Sequence, residues 1–145
     1  MECQRCHRET FIIFVHEERL CEFCHMNIKD FKRSEFDCRC GCGKNNINID
    51  FLEKLQLART YAGIPFVVIS GCRCDSHNSS AEVGGKPTSD HLTGEGADIR
   101  VINSTERFAI LDSAIAAGFR RIGIGRGFIH LGNGKHNPQA VAWIY

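Results

Sequence analysis

From residue 50 onward the apolar positions switch between a helical and an extended rhythm. In DFLEKLQLARTYA, Phe51, Leu52, Leu55, Ala58 and Tyr61 fall on one face of a helix. Asp50 and Glu53 fit a capping box at its start, and Gly63 suits its end. IPFVVIS is an unbroken apolar run bounded by turn residues, so it reads as a buried strand, and ADIRVI reads as another. Asn103 and Glu106 suggest a second capping box, opening ERFAILDSAIAAG with Phe108, Leu111, Ile115 and Phe119 as core contacts. RIGIG, FIHLG and AVAWIY follow as three short closing strands. Strands and helices do not alternate as they would around a parallel sheet. The pattern predicts an α+β domain, a small mostly antiparallel sheet with helices packed on one side. Between IPFVVIS and ADIRVI runs CRCDSHNSSAEVGGKPTSDHLTGEG, a long stretch rich in Gly, Ser, Asn and Asp. Loops of that length inside a compact domain usually carry function.

Before residue 50 the apolar rhythm fades and cysteine takes over. The chain has 145 residues, enough for one domain plus a small module but not for two full cores. Its 43% hydrophobic and 24% charged residues exclude a disordered or collagen-like chain. No apolar run approaches the roughly 18 residues of a membrane span. A net charge of +1 gives no electrostatic case for nucleic acid or an anionic membrane. The opening MECQRCHRET is too polar for a signal peptide, so synthesis in the cytoplasm is expected. In that reducing compartment nine cysteines point to metal or catalysis before disulfides.

Cys3, Cys6, Cys21 and Cys24 form CQRC and CEFC with fourteen residues between the pairs. Two thiolates per knuckle, joined by a short hairpin, make the tetrahedral sulfur cage that zinc prefers. The intervening TFIIFVHEERL holds the β-rich run such a hairpin needs. With so few apolar residues, the metal would supply the folding energy. His7 and His25 follow the pairs, so each can replace a cysteine as ligand, and the same spacing formally matches haem attachment. Residues 1–33 therefore read as a zinc-ribbon-like module with a structural zinc ion, ending in a polar linker or short helix, NIKDFKRSEF. Residues 34–145 read as the main domain.

Three residues of that domain sit oddly for structure alone. Asp98 opens an apolar strand, where an ionised carboxylate is costly unless paired or metal-bound. His130 lies inside FIHLG, and His91 lies seven residues before Asp98. Two imidazoles and a carboxylate make an open three-ligand zinc site with room for water. The plain alternative is a solvated loop histidine, a hydrogen-bonded core histidine and a turn cap. Spacing alone does not choose between them.

SGCRC, SDHLTGEGAD, GIG and FIHLG, in that order, resemble the zinc D-Ala-D-Ala carboxypeptidase family. That group includes phage endolysins that cut peptidoglycan peptides, and it shares its fold with the amino-terminal hedgehog domain. Ser89, His91, Gly94, Ala97 and Asp98 match the pattern S-x-H-x-x-G-x-A-x-D, and the third ligand falls on His130. The resemblance runs from about Glu35 to Tyr145, including the closing WIY. It implies a catalytic zinc held by His91, Asp98 and His130, and a peptidoglycan peptide as substrate. Arg73 and Ser89 would position the substrate's carboxylate and backbone. It also implies a phage lysis or virion-associated protein acting at the cell wall.

One departure stands out. Family members carry a carboxylate as general base three residues before the third ligand or two after it, and here those positions are Gly127 and Gly132. Glu95 and His136 are the replacement candidates, ahead of Asp75 and Glu82. If nothing replaces the base, an aspartate at position 132 should raise the rate. The alternative function is then a catalytically weak cell-wall-binding module, or a zinc-ribbon interaction module. Cys38, Cys40, Cys42, Cys72 and Cys74 supply either a second closed sulfur site, using four of the five, or reduced thiols. A cysteine nucleophile is a third option, without an accompanying Cys–His–Asn signature.

Overall fold

The computed structural model describes residues 12–15, 18–21 and 28–145. Strands β1 (Ile12–Val15) and β2 (Glu18–Cys21) pair antiparallel, Ile12 opposite Cys21, as a hairpin. Of the knuckle ligands, Cys3, Cys6 and Cys24 lie outside the described residues, as does the side chain of Cys21.

The remainder is the expected α+β domain. Strands β3 (Val68–Ser70), β4 (Gly96–Arg100), β5 (Arg121–Ile124), β6 (Phe128–Gly132) and β7 (Val141–Ile144) form a sheet of order β3-β4-β6-β5-β7. Its pairs are antiparallel except β5 with β7. Helices α1 (Ile49–Ala62) and α3 (Ser104–Ala116) are the long ones; α2 (Asp75–Asn78) is a single turn. Among the described residues no helix is long and apolar enough to cross a membrane.

Strand alternation divides the sheet into two faces. Ala97, Ile99, Ile122, Ile129 and Leu131 are buried in one core cluster with Phe51, Leu52, Leu55 and Ala58 of α1 and Ile110 and Ala114 of α3. Each of the Leu, Ile and Phe side chains contributes roughly 1.5–3 kcal/mol by leaving water. The intervening positions, Asp98, His130 and Gly123, point to the other face. They form a row with Trp143, because Asp98 pairs His130, His130 pairs Gly123 and Gly123 pairs Trp143.

The structure corrects several local expectations. Helix α1 is capped by Asn48, whose side chain accepts from Phe51 N, and not by Asp50. Gly63 ends it in the left-handed conformation, as expected. Tyr61 is 56% exposed, and in α3 Phe108 and Ile115 are 69% and 65% exposed. Helix α3 is rotated so that small Ser113 and Ala114, with Ile110, face inward. Ser113 is tolerated there because its hydroxyl donates to Ile110 O at 3.0 Å. The stretch read as a linker contains a 3₁₀ turn, Arg33–Phe36, and Ile28, Phe31 and Phe36 join the core.

Asn103 does cap α3, accepting from Glu106 N at 2.8 Å, while the Glu106 carboxylate reaches back to Ile102 N at 3.2 Å. Asn103→Ala should cost about 1 kcal/mol. A urea titration should show it as a lower midpoint at unchanged slope.

Candidate metal centre

Three elements meet on the open face of the sheet. Asp98 comes from β4, His130 from its central neighbour β6, and His91 from the loop that leads into β4. That loop is fastened from outside. Asn48 N donates to Gly94 O at 2.9 Å, and Asn46 Nδ2 and Lys44 Nζ both donate to Leu92 O. Gly94 has φ 72°, and a Cβ there would lie 2.0 Å from Asn46 O, so the tight return after His91 requires glycine.

The donor atoms converge. His91 Nε2 lies 3.2 Å from Asp98 Oδ1, His130 Nδ1 lies 2.9 Å from the same oxygen, and the two ring nitrogens are 3.2 Å apart. Ligand atoms on a tetrahedral zinc ion, with bonds of about 2.0–2.1 Å, stand about 3.3 Å from one another. The donor set fits. All three residues are buried, at 2%, 8% and 4% exposure for His91, Asp98 and His130. The plain alternative of a solvated loop histidine is thereby removed for His91.

Each imidazole is oriented from behind. His91 Nδ1 lies 2.6 Å from Gly71 O, and a carbonyl only accepts, so the proton sits on Nδ1 and the lone pair of Nε2 faces the cluster. His130 is turned the opposite way: its Nε2 faces Asp90 Oδ2 at 3.5 Å, leaving Nδ1 for the cluster. Such outer partners fix a ligand's tautomer and raise its basicity.

Charge follows geometry. Burial opposes ionisation of Asp98, yet bonds from His130 and His91 outweigh it and hold the carboxyl well below the ordinary range. Burial pushes His91 down, so the ring stays neutral. Burial works the same way on His130, but Asp90 and Asp98 overcome it and raise its pKa. The space between these groups favours a cation.

Arg73 reaches the centre from the loop after β3. Its Nη2 donates to Asp98 Oδ2 at 3.1 Å, its Nε to Ser70 Oγ at 3.1 Å and its Nη1 to Asn78 Oδ1 at 3.4 Å. Arg73 thus holds the oxygen of Asp98 that does not face the histidines, and each Nη has a second N–H beyond these bonds. Ser89 stands further out, its Oγ accepting from His91 N at 3.3 Å, where it shapes the turn.

Among the described residues, none of the base candidates bonds to the three ligand side chains. The Glu95 carboxylate makes no hydrogen bond or ion pair among the described residues; its backbone links Asp90 O and Asn133 N. His136 is exposed, with Nε2 donating to Thr88 O at 3.1 Å. Asp75 and Glu82 are exposed as well.

Asp90 is the residue that sequence reasoning missed. It is 2% exposed, and its carboxylate accepts from Arg121 Nε at 3.0 Å and Asn137 Nδ2 at 2.9 Å besides facing His130. Burial opposes its ionisation, but these three donors prevail and lower its pKa. A Cβ on Gly132 would lie 2.1 Å from Asp90 Oδ2, on Gly134 2.1 Å from Oδ1, and on Gly96 2.8 Å from Asp90 Cβ. Three glycines cradle one carboxylate. The signal was present as glycines at β4 and β6 positions where a strand gains nothing from them. Position 132 is therefore no vacant seat for a base. Trp143 completes the wall, 5.5 Å from the His130 ring and 5.3 Å from the Arg121 guanidinium.

Of the remaining cysteines, Cys38, Cys40, Cys42 and Cys74 gather at a separate point, while buried Cys72 turns toward Asn45 Oδ1. The family model described as Peptidase M15 matches residues 25–132, a span that includes His91, Asp98 and His130. No curated protein matches the chain.

Proposed function

The chain belongs to the peptidase M15 family, and from that premise we propose that it is a zinc-dependent peptidase hydrolysing amide bonds in peptidoglycan stem peptides. The observation that carries this reading is the convergence of His91 Nε2, Asp98 Oδ1 and His130 Nδ1 within 2.9–3.2 Å of one another on a buried floor. A zinc ion held there supplies Lewis acidity toward a scissile carbonyl and lowers the pKa of water.

The protein's own contribution is orientation and charge. His91 presents a neutral nitrogen because Gly71 O holds its proton on the far side. Asp98 stays ionised, its second oxygen bound by Arg73. The remaining Arg73 N–H groups are proposed to take a carboxylate of the peptide, lowering the orientational cost of reaction. Ser89 supports this by fixing the turn that carries His91. The proposed place of action is the cell wall, as a phage lysis or virion-associated protein. A structural zinc on Cys3, Cys6, Cys21 and Cys24 stays part of the proposal, supported by their spacing.

A second reading has one observation in its favour. Among the described residues, the carboxylate nearest the ligands apart from Asp98 is Asp90, and it faces the ring nitrogen of His130 that points away from the cluster. A cell-wall-binding module with weak turnover is consistent with a carboxylate placed that way, since a positioned base is worth about 10²–10⁴ in rate. Digestion of purified sacculi by zinc-loaded protein, with mass spectrometry of the supernatant, separates the two. Released peptides support the peptidase. Sedimentation with the sacculi and no release supports the binder.

Arg73→Lys keeps a positive charge but loses the planar fork. It should lower kcat/KM tenfold or more, mainly through KM, with a smaller loss of zinc under chelator challenge because Asp98 is held less firmly. Unchanged kcat/KM would remove Arg73 from the site.

A further inference from the structure

Away from the histidines, the loop before α1 and the loop after β3 bring four sulfur atoms together. Cys38 Sγ lies 3.5 Å from Cys40 Sγ and 3.9 Å from Cys74 Sγ, and Cys40 Sγ lies 3.7 Å from Cys74 Sγ. With Cys42, all four sulfurs fall within 4.8 Å of one another. None is in a disulfide, and the separations are far beyond the ~2.05 Å of an S–S bond. Sulfurs on a tetrahedral zinc ion, with bonds of about 2.3 Å, stand about 3.8 Å apart.

The backbone is arranged for thiolates as well. Cys74 N points at Cys38 Sγ, Lys44 N at Cys42 Sγ and His77 N at Cys74 Sγ, each at 3.4 Å. Gly41 and Gly43, at φ 84° and 82°, let CRCGCGK curl so that three cysteines in five residues face one point. Cys38 N closes the curl on Lys44 O at 2.9 Å. Cys72, the fifth cysteine of the region, donates to Asn45 Oδ1 and takes no part.

We propose that Cys38, Cys40, Cys42 and Cys74 bind a structural zinc ion, distinct from the His91–Asp98–His130 centre. Four thiolates close the coordination sphere, so this ion has no open position for substrate. Its role follows from where Cys74 sits. Arg73, the preceding residue, grips Asp98, and between β3 and α2 the chain is also fastened by His91 Nδ1 to Gly71 O, Cys72 N to Phe36 O and Arg73 N to His91 O. A closed metal site clamps that short segment to the loop before α1. The clamp holds Arg73 in register with the ligand it supports, and zinc binding stabilises the domain by mass action.

The test compares zinc content and thiol reactivity in the full chain. Cys40 and Cys42 are exposed, so Cys40→Ser/Cys42→Ser leaves the core untouched. The double variant should lose one zinc per chain by atomic emission, whereas Cys72→Ser should keep the wild-type count. In unaltered protein, iodoacetamide followed by peptide mass spectrometry should find Cys40 and Cys42 protected until a chelator is added, despite their exposure. Wild-type zinc content in the double variant, immediate alkylation of both thiols, or a disulfide among the four would each overturn the proposal. The alkylation arm does not depend on any variant folding. Because activity is not the readout, failure here leaves the peptidase reading to stand or fall separately.

Discussion

Replacing His91 by alanine is expected to abolish peptide hydrolysis and to remove one zinc ion per chain while the domain stays folded. The ring supplies one of three converging donor atoms, and its loss leaves a carboxylate and one imidazole to hold the ion. Lewis-acid stabilisation of a reacting carbonyl is worth several kcal/mol, so turnover should fall by about 10³ or more. The structural penalty is smaller. Gly71 O loses its donor, which costs roughly 1–3 kcal/mol. The Phe51, Leu55, Ile99 and Ile129 core, on the opposite face of the sheet, is not touched. Zinc per chain relative to wild type, circular dichroism and digestion of purified sacculi together read the outcome. Retained zinc with retained hydrolysis would exclude His91 as a ligand.

The centre was legible because its chemistry conflicts with its surroundings. An aspartate in an apolar strand and a histidine in FIHLG are expensive unless used, and the resemblance of SDHLTGEGAD to the family pattern tied His91 to them. The strands were legible from their flanking turn residues and short length, but IPFVVIS, read as buried, holds the edge strand β3, with Val67 and Ile69 38% and 41% exposed. What failed was rotation and reach. Helix α3 carries apolar residues all round, so sequence could not decide whether Phe108 and Ile115 or Ile110 and Ala114 face the sheet; the sheet decided, by accepting the small side chains. The cap of α1 falls on Asn48, a favoured cap residue whose side chain accepts from Phe51 N, and the same residue's N–H is tied to Gly94 O in the loop behind His91. Asp90 was invisible for a sharper reason. It adjoins His91 in sequence but serves His130, and that relation exists only once β4 and β6 are paired.

That relation also reverses the expectation for position 132. Gly132→Asp should impair the protein and not improve it, because a Cβ there lies 2.1 Å from Asp90 Oδ2 and the new carboxylate would meet an existing one. Asp90→Ala should be damaging too. It strips the outer partner from His130, which lowers metal affinity about 10–100-fold. It also leaves Arg121 without its carboxylate at a side-chain exposure of 11%, where breaking a buried pair costs about 3–5 kcal/mol. Contacts of Arg121 with Trp143 and with Pro138 O favour the lower end of that range. Combining the two changes should be better than either alone. With Asp90 truncated the clash disappears, and a Cβ on Gly132 lies 3.0 Å from His130 Nε2, so a short carboxylate built there reaches the same ring nitrogen from β6. On this view Asp90 reaches His130 from the loop where Gly132→Asp would reach it from β6, and it positions the ring without abstracting a proton. Zinc affinity by competition with a chelator, which needs no turnover, should rank wild type first, Asp90→Ala/Gly132→Asp next and both single variants below. A double variant no better than Asp90→Ala alone would mean that position 132 cannot address His130, and the exchange of carboxylates between loop and strand would be wrong.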